Sequence, residues 1–430
     1  MSIRLLLLSA AVVLLPAGVL PARAEVSSEV LWARQIGTPG YEVTLDIETS
    51  KNSVLVLGET NGSLARDNPS QDDELFLQRW SLTGELTWQK QFTIRRFAIV
   101  FDLGVDPAGN SYIAGAASGV LDGQEWVGDS DAFVRKYDSS GAYQWTRMIG
   151  TEGADRARSV AATNRAVYVA GGVQGVLPGE TSRDRLDGFI ARFDPDGTQR
   201  WVDQFGTARY DSAEYLALAK DAIYVAGSTS GRFRGEEKAG GIDTFVRRIA
   251  SNSQATWTRM FGSTVYDQLH ALAANNAGAY LTGWTDGDFE GHPHVGWEDA
   301  FVQSVAAGGE VGWGDQYAAE PESSAIPTGI AASASYVHVI GAVGPDAAFP
   351  GEESLGSSDI YRRTYTTPGV SVLTDQFGTE AGGDNEGPGD IAARNGVAYL
   401  TFQTTEPFAG QDSHGGLDVW LLATPELGPE

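Results

Sequence analysis

The chain contains no cysteine. That excludes disulfides, thiolate-bound metals, cysteine nucleophiles and anchoring through a lipidated cysteine. Basic residues are scarce: 30 Lys and Arg face 56 Asp and Glu, a formal net charge of −26 over 430 residues. Neutralising phosphates takes a basic surface, so nucleic acid and anionic lipid are poor partners. Acidity of this degree favours solubility and permits cation binding. Histidine is limited to 5 residues and methionine to 3. No sustained helical period crosses the chain beyond its first residues.

The N-terminus reads as an export signal. Arg4 precedes an apolar run from Leu5 to Leu15, and Ala22-Arg23-Ala24 offers a small-x-small cleavage site. The spacing predicts a signal peptide over residues 1–24, with Glu25 opening the mature chain. The run is short for a membrane span. The mature chain, more acidic by the loss of Arg4 and Arg23, is expected in the periplasm or outside the cell, with no membrane insertion after cleavage.

What is abundant is glycine, at 53 residues, with 11 Trp and 15 Tyr. Tryptophan falls at Trp32, Trp88, Trp145, Trp201, Trp257 and Trp313, at steps of 56, 57, 56, 56 and 56 residues, and a seventh copy opens at Leu373 after 60. The copies start alike, as in Trp145-Thr-Arg-Met-Ile-Gly, Trp201-Val-Asp-Gln-Phe-Gly and Leu373-Thr-Asp-Gln-Phe-Gly. An acidic residue two positions before an aromatic recurs later in each copy, at Glu74, Asp131, Asp187, Asp243, Asp299, Asp359 and Asp418. Upstream of it lies an apolar-x-Gly signature at Gly58, Gly115, Gly171, Gly227, Gly283 and Gly341, replaced by Phe402 in the seventh copy. A period this regular means repeated units that bury their apolar faces on one another.

Each unit holds four short runs rich in β-branched and aromatic residues, separated by turn residues. The predicted fold is all-β: one domain over residues 25–430, a seven-bladed β-propeller of four-stranded antiparallel blades, with six or eight blades as alternatives. Tight turns such as Asp138-Ser-Ser-Gly141 tie the last strand of one unit to the tryptophan strand of the next. The strand at Trp32 therefore lacks a predecessor, the strand at Trp420 lacks a successor, and the two are expected to share a blade and close the ring. These signatures resemble the SBBP (seven-bladed β-propeller) repeat family over roughly residues 31–425. The resemblance implies the propeller and leaves the ligand open.

In such a meander the tight turns share one face and the longer connections share the other. The variable loops are 59–73, 116–130, 172–186, 228–242, 284–298, 342–358 and 403–417, most of them acidic and Gly-rich. Unit five stands apart. Trp284, Asp286, Asp288, Glu290, His292, His294 and Trp297 fall within one loop, and Tyr266-Asp267 reaches the same face. Flat aromatics suit the apolar faces of sugars, carboxylates suit their hydroxyls, and imidazoles with carboxylates suit a metal. Packing of both tryptophans on their own blade is the structural alternative. The recurring Asp131, Asp187, Asp243, Asp299, Asp359 and Asp418 are expected to bind loop amides, since a once-needed function rarely recurs in every blade. Asp286-Gly-Asp288 makes calcium a candidate cofactor, although the twelve-residue EF-hand spacing is absent.

The stretch Asp194-Pro-Asp196-Gly197-Thr-Gln-Arg-Trp201 narrowly misses the sialidase Asp box and is similar to the docking motif of quinoprotein propellers. No Gly-x-Ser-x-Gly elbow occurs. The expected function is an exported, non-catalytic binding or scaffold propeller presenting its acidic loop face to an extracellular glycan or protein. The alternative is an extracellular propeller enzyme, a carbohydrate-active hydrolase or lyase or a quinone-dependent oxidoreductase. Convergence of His270, Tyr266, Asp267 and the unit-five carboxylates on one pocket would favour the enzyme.

Overall fold

A computed structural model of the chain describes residues 29–64, 74–93, 98–181, 185–220, 222–250, 253–355, 358–378, 387–406, 408 and 413–427. The signal peptide expected over 1–24 lies outside these residues, as do parts of loops 59–73, 172–186, 342–358 and 403–417. The described strands form seven four-stranded antiparallel sheets, each the blade of a propeller. Blades 1 to 6 span 42–92, 98–149, 156–205, 211–261, 267–317 and 325–377. Blade 7 takes three strands from 387–425 and its outer strand from Trp32–Ile36, which pairs with Asp418–Pro425 from Trp32 opposite Ala423 to Ile36 opposite Val419. The ring is thus seven-bladed and closed by its two ends.

Apolar side chains gather in seven clusters, one in each joint between neighbouring blades. The middle strands are sandwiched on both faces and read as continuous buried runs, such as Val167–Val173. Fully buried rings such as Phe133 and Phe189 each contribute about 1.5–3 kcal/mol.

Each inner strand carries a β-bulge where it passes the glycine of the apolar-x-Gly signature. There the backbones approach so closely that a Cβ on Gly171 would sit 1.8 Å from the Arg156 carbonyl, and one on Gly227 1.9 Å from that of Ser212. Blade 7 has Phe402 instead, opposite Pro388, and its inner strand skips Gly389 and Asp390 before pairing resumes at Ile391 opposite Leu400.

The tryptophans fasten the rim. Trp32, Trp88, Trp145, Trp257 and Trp313 each donate the indole N–H to a carbonyl in the outer hairpin of the next blade, at 2.8–3.1 Å. Each ring lies against a hairpin glycine (Gly84, Gly141, Gly197, Gly309, Gly369) held at φ between +79° and +99°. Leu373 takes the tryptophan position on the outer strand of blade 6. The blade after it is the one whose outer hairpin is split between the two chain ends, so no turn awaits an indole.

Gly309→Ala is expected to cost about 1–2 kcal/mol in a denaturant melt, from the left-handed backbone and from displacing Trp257, whose ring lies 2.9 Å from the new Cβ. Gly351→Ala, at φ +95° with nothing within 4 Å of its Cβ, should lose only the backbone part.

Candidate functional site

The loop face of blade 5 is ordered by a turn that recurs around the ring. Phe289 is buried and stacks on Phe301 at 4.0 Å, and His292 N–H closes a turn on its carbonyl. Gly291 sits at φ +86°. Leu121, Leu177, Phe233 and Phe349 anchor the corresponding loops through the same turn. This apolar-x-Gly turn is a fourth repeat signature, visible in Phe233-Arg-Gly235, Phe289-Glu-Gly291 and Phe349-Pro-Gly351 but easily lost among divergent neighbours.

The recurring acid fixes the other end of each loop. Asp299 accepts the Val295 and Gly296 amides at 2.7 Å, and Asp243 accepts those of Ala239 and Gly240 at 2.8 Å. Asp131, Asp359 and Asp418 accept the Val127, Leu355 and His414 amides. In four described blades a glutamine from the outer strand ties the acid to the loop: Gln316 donates to Asp299 and to the Gly287 carbonyl while accepting the Phe289 amide. Gln91, Gln204 and Gln376 do the same at Glu74, Asp187 and Asp359.

On this frame the unit-five residues separate into two groups. Tyr266, 43% exposed, packs against Trp284 at 5.4 Å on the flank facing blade 4. Trp297, 66% exposed, lies on the flank facing blade 6, its amide bound to the Ser323 carbonyl. Asp286 is exposed, and Asp288 accepts the His294 amide. Glu290 accepts the Gly262 amide, and partial burial raises its pKa. The His294 ring lies 3.5 Å from Asp299, and His292 turns toward Gly314 in the outer strand. Asp267 is buried, accepting the Ser263 amide and the Thr285 hydroxyl. Among the described residues no group of three or more His, Asp or Glu is arranged to hold a metal ion.

His270 goes elsewhere. It is the bulge residue of its inner strand and lines a central cavity of about 550 Å³. Tyr266, Asp267 and Glu290 are absent from that lining, so the titratable groups of unit five do not converge.

The cavity wall instead brings together Asp46, Glu48, Asp102 and Asp390, with no lysine or arginine among its lining residues. Asp46 and Asp102 occupy the position just after the bulge, and Asp390 is within the wider bulge of blade 7. Each bulge turns one side chain toward the next blade, and the seven joints are stapled in sequence. Asp46 accepts the Leu103 amide at 2.7 Å, and Asp102 accepts the Ser159 hydroxyl at 2.9 Å and the Val160 amide at 2.5 Å. Ser159 accepts the Leu216 amide, and Tyr215 donates to the Leu269 carbonyl. His270 donates Nδ1–H to the Pro327 carbonyl at 2.7 Å, and Thr328 donates to the Gly389 carbonyl. Asp390 completes the circle against Asp46.

Electrostatics follow from this enclosure. Burial, then the charges of Asp102, Asp390 and Glu48, holds the Asp46 pKa well above the carboxylate range. Glu48 is pushed to about 8 by burial and Asp102. Asp102 and Asp390 are also raised by burial, while hydrogen bonds from Asp46 favour their charged forms. Asp46 is therefore the proton donor between two carboxylates. His270 is lowered by burial and sits neutral.

The molecule is a seven-bladed β-propeller. No family model matches the chain. A 174-residue stretch is 26% identical to regulatory protein FlaEY of Caulobacter vibrioides; the match spans 36% of this chain and only 18% of that protein. Solved structures of similar fold include polysaccharide lyase Uly1 (10% identity, 89% of this chain and 90% of that chain, TM-score 0.49). Drosophila Semaphorin 1b domains 1-2 align at 9% identity over 94% and 88%, with TM-score 0.47. Phage phi92 endosialidase aligns at 10% identity over 95% and 70%, with TM-score 0.46. At these levels the likeness is one of fold.

Proposed function

We propose that the chain is an exported, non-catalytic binding propeller of the SBBP-repeat kind, which engages an extracellular glycan or protein through the loop face of blade 5. The observation that carries this reading is the pair of aromatic surfaces on its flanks, Tyr266 with Trp284 and the largely exposed Trp297. Trp284 and Trp297 stand at the two ends of a loop tied down by the Phe289 turn and by Asp299, so presenting them costs little ordering entropy on binding. Exposed carboxylates at Asp286 and Asp288 lie beside them to accept hydroxyl or amide donors. Dispersal of the unit-five titratable groups supports binding over catalysis.

The double variant Tyr266→Ala/Trp297→Ala should stay folded with a small loss of melting temperature, since Trp297 is largely exposed and Tyr266 packs only on Trp284 at the surface. Stacking contributes about 0.5–1.5 kcal/mol per ring, so affinity for a retained polysaccharide from an immobilised panel, or for a protein captured from the extracellular medium, should fall roughly tenfold or more. Unchanged binding by the variant would remove blade 5 from the account.

The second reading, a carbohydrate-active hydrolase or lyase, has one observation in its favour: a neutral carboxyl beside charged ones in a cavity, the arrangement acid–base chemistry uses. Turnover of a soluble polysaccharide that disappears in Asp102→Asn would establish it over the binding reading.

A further inference from the structure

Six of the seven staples around the inner ring join a donor to an oxygen acceptor whatever the pH. At the seventh, between blades 7 and 1, the carboxyls of Asp390 and Asp46 face each other in the cavity wall, beside a Thr44 amide that binds Gln403 Oε1 at 3.3 Å. Two carboxylates have no donor between them, so this contact exists only while a proton is present. The same Asp46 also faces Asp102 of blade 2, so one side chain bears on both joints of blade 1, the blade next to the closure. Packing around the trio is close: a Cβ on Gly329 of blade 6 would lie 2.0 Å from Asp390 Oδ1, and the Ile391 amide already binds that oxygen at 2.7 Å.

Among the described residues no lysine or arginine lines the cavity with the trio. Asp46's own strand adds Glu48. Blade 3 contributes Ser159, and its Arg158 is turned onto the Phe101 ring at 4.4 Å. Arg158 acts on Glu214 and Tyr215 of blade 4. Blade 5 contributes neutral His270, and blade 6 contributes Thr328 and Gly329.

We propose that Asp390, Asp46 and Asp102 form a proton-operated latch on the propeller's closure, holding blades 7, 1 and 2 together when protonated and pushing their inner strands apart when the protons leave. The direction follows from linkage. These carboxyls titrate higher in the folded chain than in the unfolded one, so their stabilisation is full below the unfolded value and is lost as pH rises through the folded values. With Asp390 at about 6 and the neighbouring Glu48 at about 8, the window runs from mildly acidic to mildly alkaline pH. Each proton held in excess by the native chain changes the folded-to-unfolded ratio about tenfold per pH unit.

The test compares wild type with Asp46→Asn in denaturant melts from pH 5 to 8.5. The asparagine amide offers N–H donors toward Asp390 and Asp102 and a carbonyl for the Leu103 amide at every pH, whereas the acid has a single O–H and only while protonated. Wild type should lose stability as pH rises, and Asp46→Asn should lose about tenfold less per pH unit and be the more stable chain at pH 8. Asp390→Asn serves if that variant does not fold. Hydrogen exchange on wild type, corrected for intrinsic rate, localises the effect. Protection in 42–49 and 387–394 should fall at least tenfold more between pH 6 and 8 than in 211–219. Identical pH slopes in wild type and variant, or uniform loss of protection, would overturn the latch. So would equal restoration of wild type at pH 8 by calcium alone, which would make the trio a cation site.

Discussion

A chain lacking residues 25–37 is expected to lose most of its folding stability, or to be recovered only as aggregate. The deleted segment contains the whole outer strand of blade 7. Its loss uncovers the edge of Asp418–Pro425, whose Val419, Trp420 and Leu421 are fully buried. It removes Ile36 and Trp32 from the joint between blades 7 and 1, at about 1.5–3 kcal/mol for each well-buried side chain. The ladder hydrogen bonds go with them, at about 1 kcal/mol each. The sum approaches the 5–15 kcal/mol by which a domain is stable at all. The exposed edge is also a template for pairing with another chain. A synthetic peptide of residues 29–37 added to the truncated chain should raise its melting temperature by strand addition. An unchanged melt without the segment would mean that the ring closes some other way.

The second large effect is expected at Arg362. Its guanidinium is 1% exposed and pairs with buried Asp375 through Nε at 3.1 Å and Nη2 at 2.5 Å. It also donates to the Thr424 hydroxyl and the Pro425 carbonyl of blade 7. One side chain thus ties blade 6 to the strand that receives the closure. Arg362→Ala takes the guanidinium away from the buried Asp375 carboxylate, a change that typically costs about 3–5 kcal/mol. The double variant Arg362→Met/Asp375→Leu removes both charges and should recover much of that loss in the same denaturant melt. His338 is an independent reporter. Burial, and secondarily the charge of Arg362, holds its pKa at about 3. In Arg362→Met that value should rise when followed by NMR. A loss under 1 kcal/mol for Arg362→Ala would show that solvent reaches the pair.

The fold was legible because its strongest contacts have a fixed address in each copy. Five of the repeat tryptophans reach a hairpin in the next blade, so the period survives in sequence even where loops diverge. Irregularities in the seventh copy were visible too, but their meaning needed three dimensions. Leu373 stands where no outer hairpin follows, and Phe402 stands opposite a double bulge.

The cavity acids were not legible for a different reason. A bulge shifts the inside–outside alternation by one residue, so Asp46 in Leu-Asp-Ile reads as a solvent-side residue of an ordinary strand. The post-bulge position holds Asp46, Asp102, Ser159, Tyr215, Ala271 and Gly329 in blades 1 to 6, a column without a common chemistry to flag it. His270 is conspicuous in sequence as a histidine of unit five, but the bulge that aims it inward rather than toward the loop face leaves no mark in the sequence. The aromatic residues of unit five were recognisable by type. Their division between two flanks of one blade was not, because spacing along a loop says little about which neighbour each end meets.

Closure also sets the order of events in folding. Gln35 bonds to Asp418 across 383 residues, whereas each of blades 1 to 6 is assembled from strands adjacent in sequence. Those blades can form and dock as the chain grows, since their pairings are local and fast. The seventh must wait for the last strand, and until then the first strand has no partner in its own sheet. The slow phase of refolding should therefore belong to a single late annealing step, and a chain stalled before residue 418 would be a stack of finished blades with one sticky end.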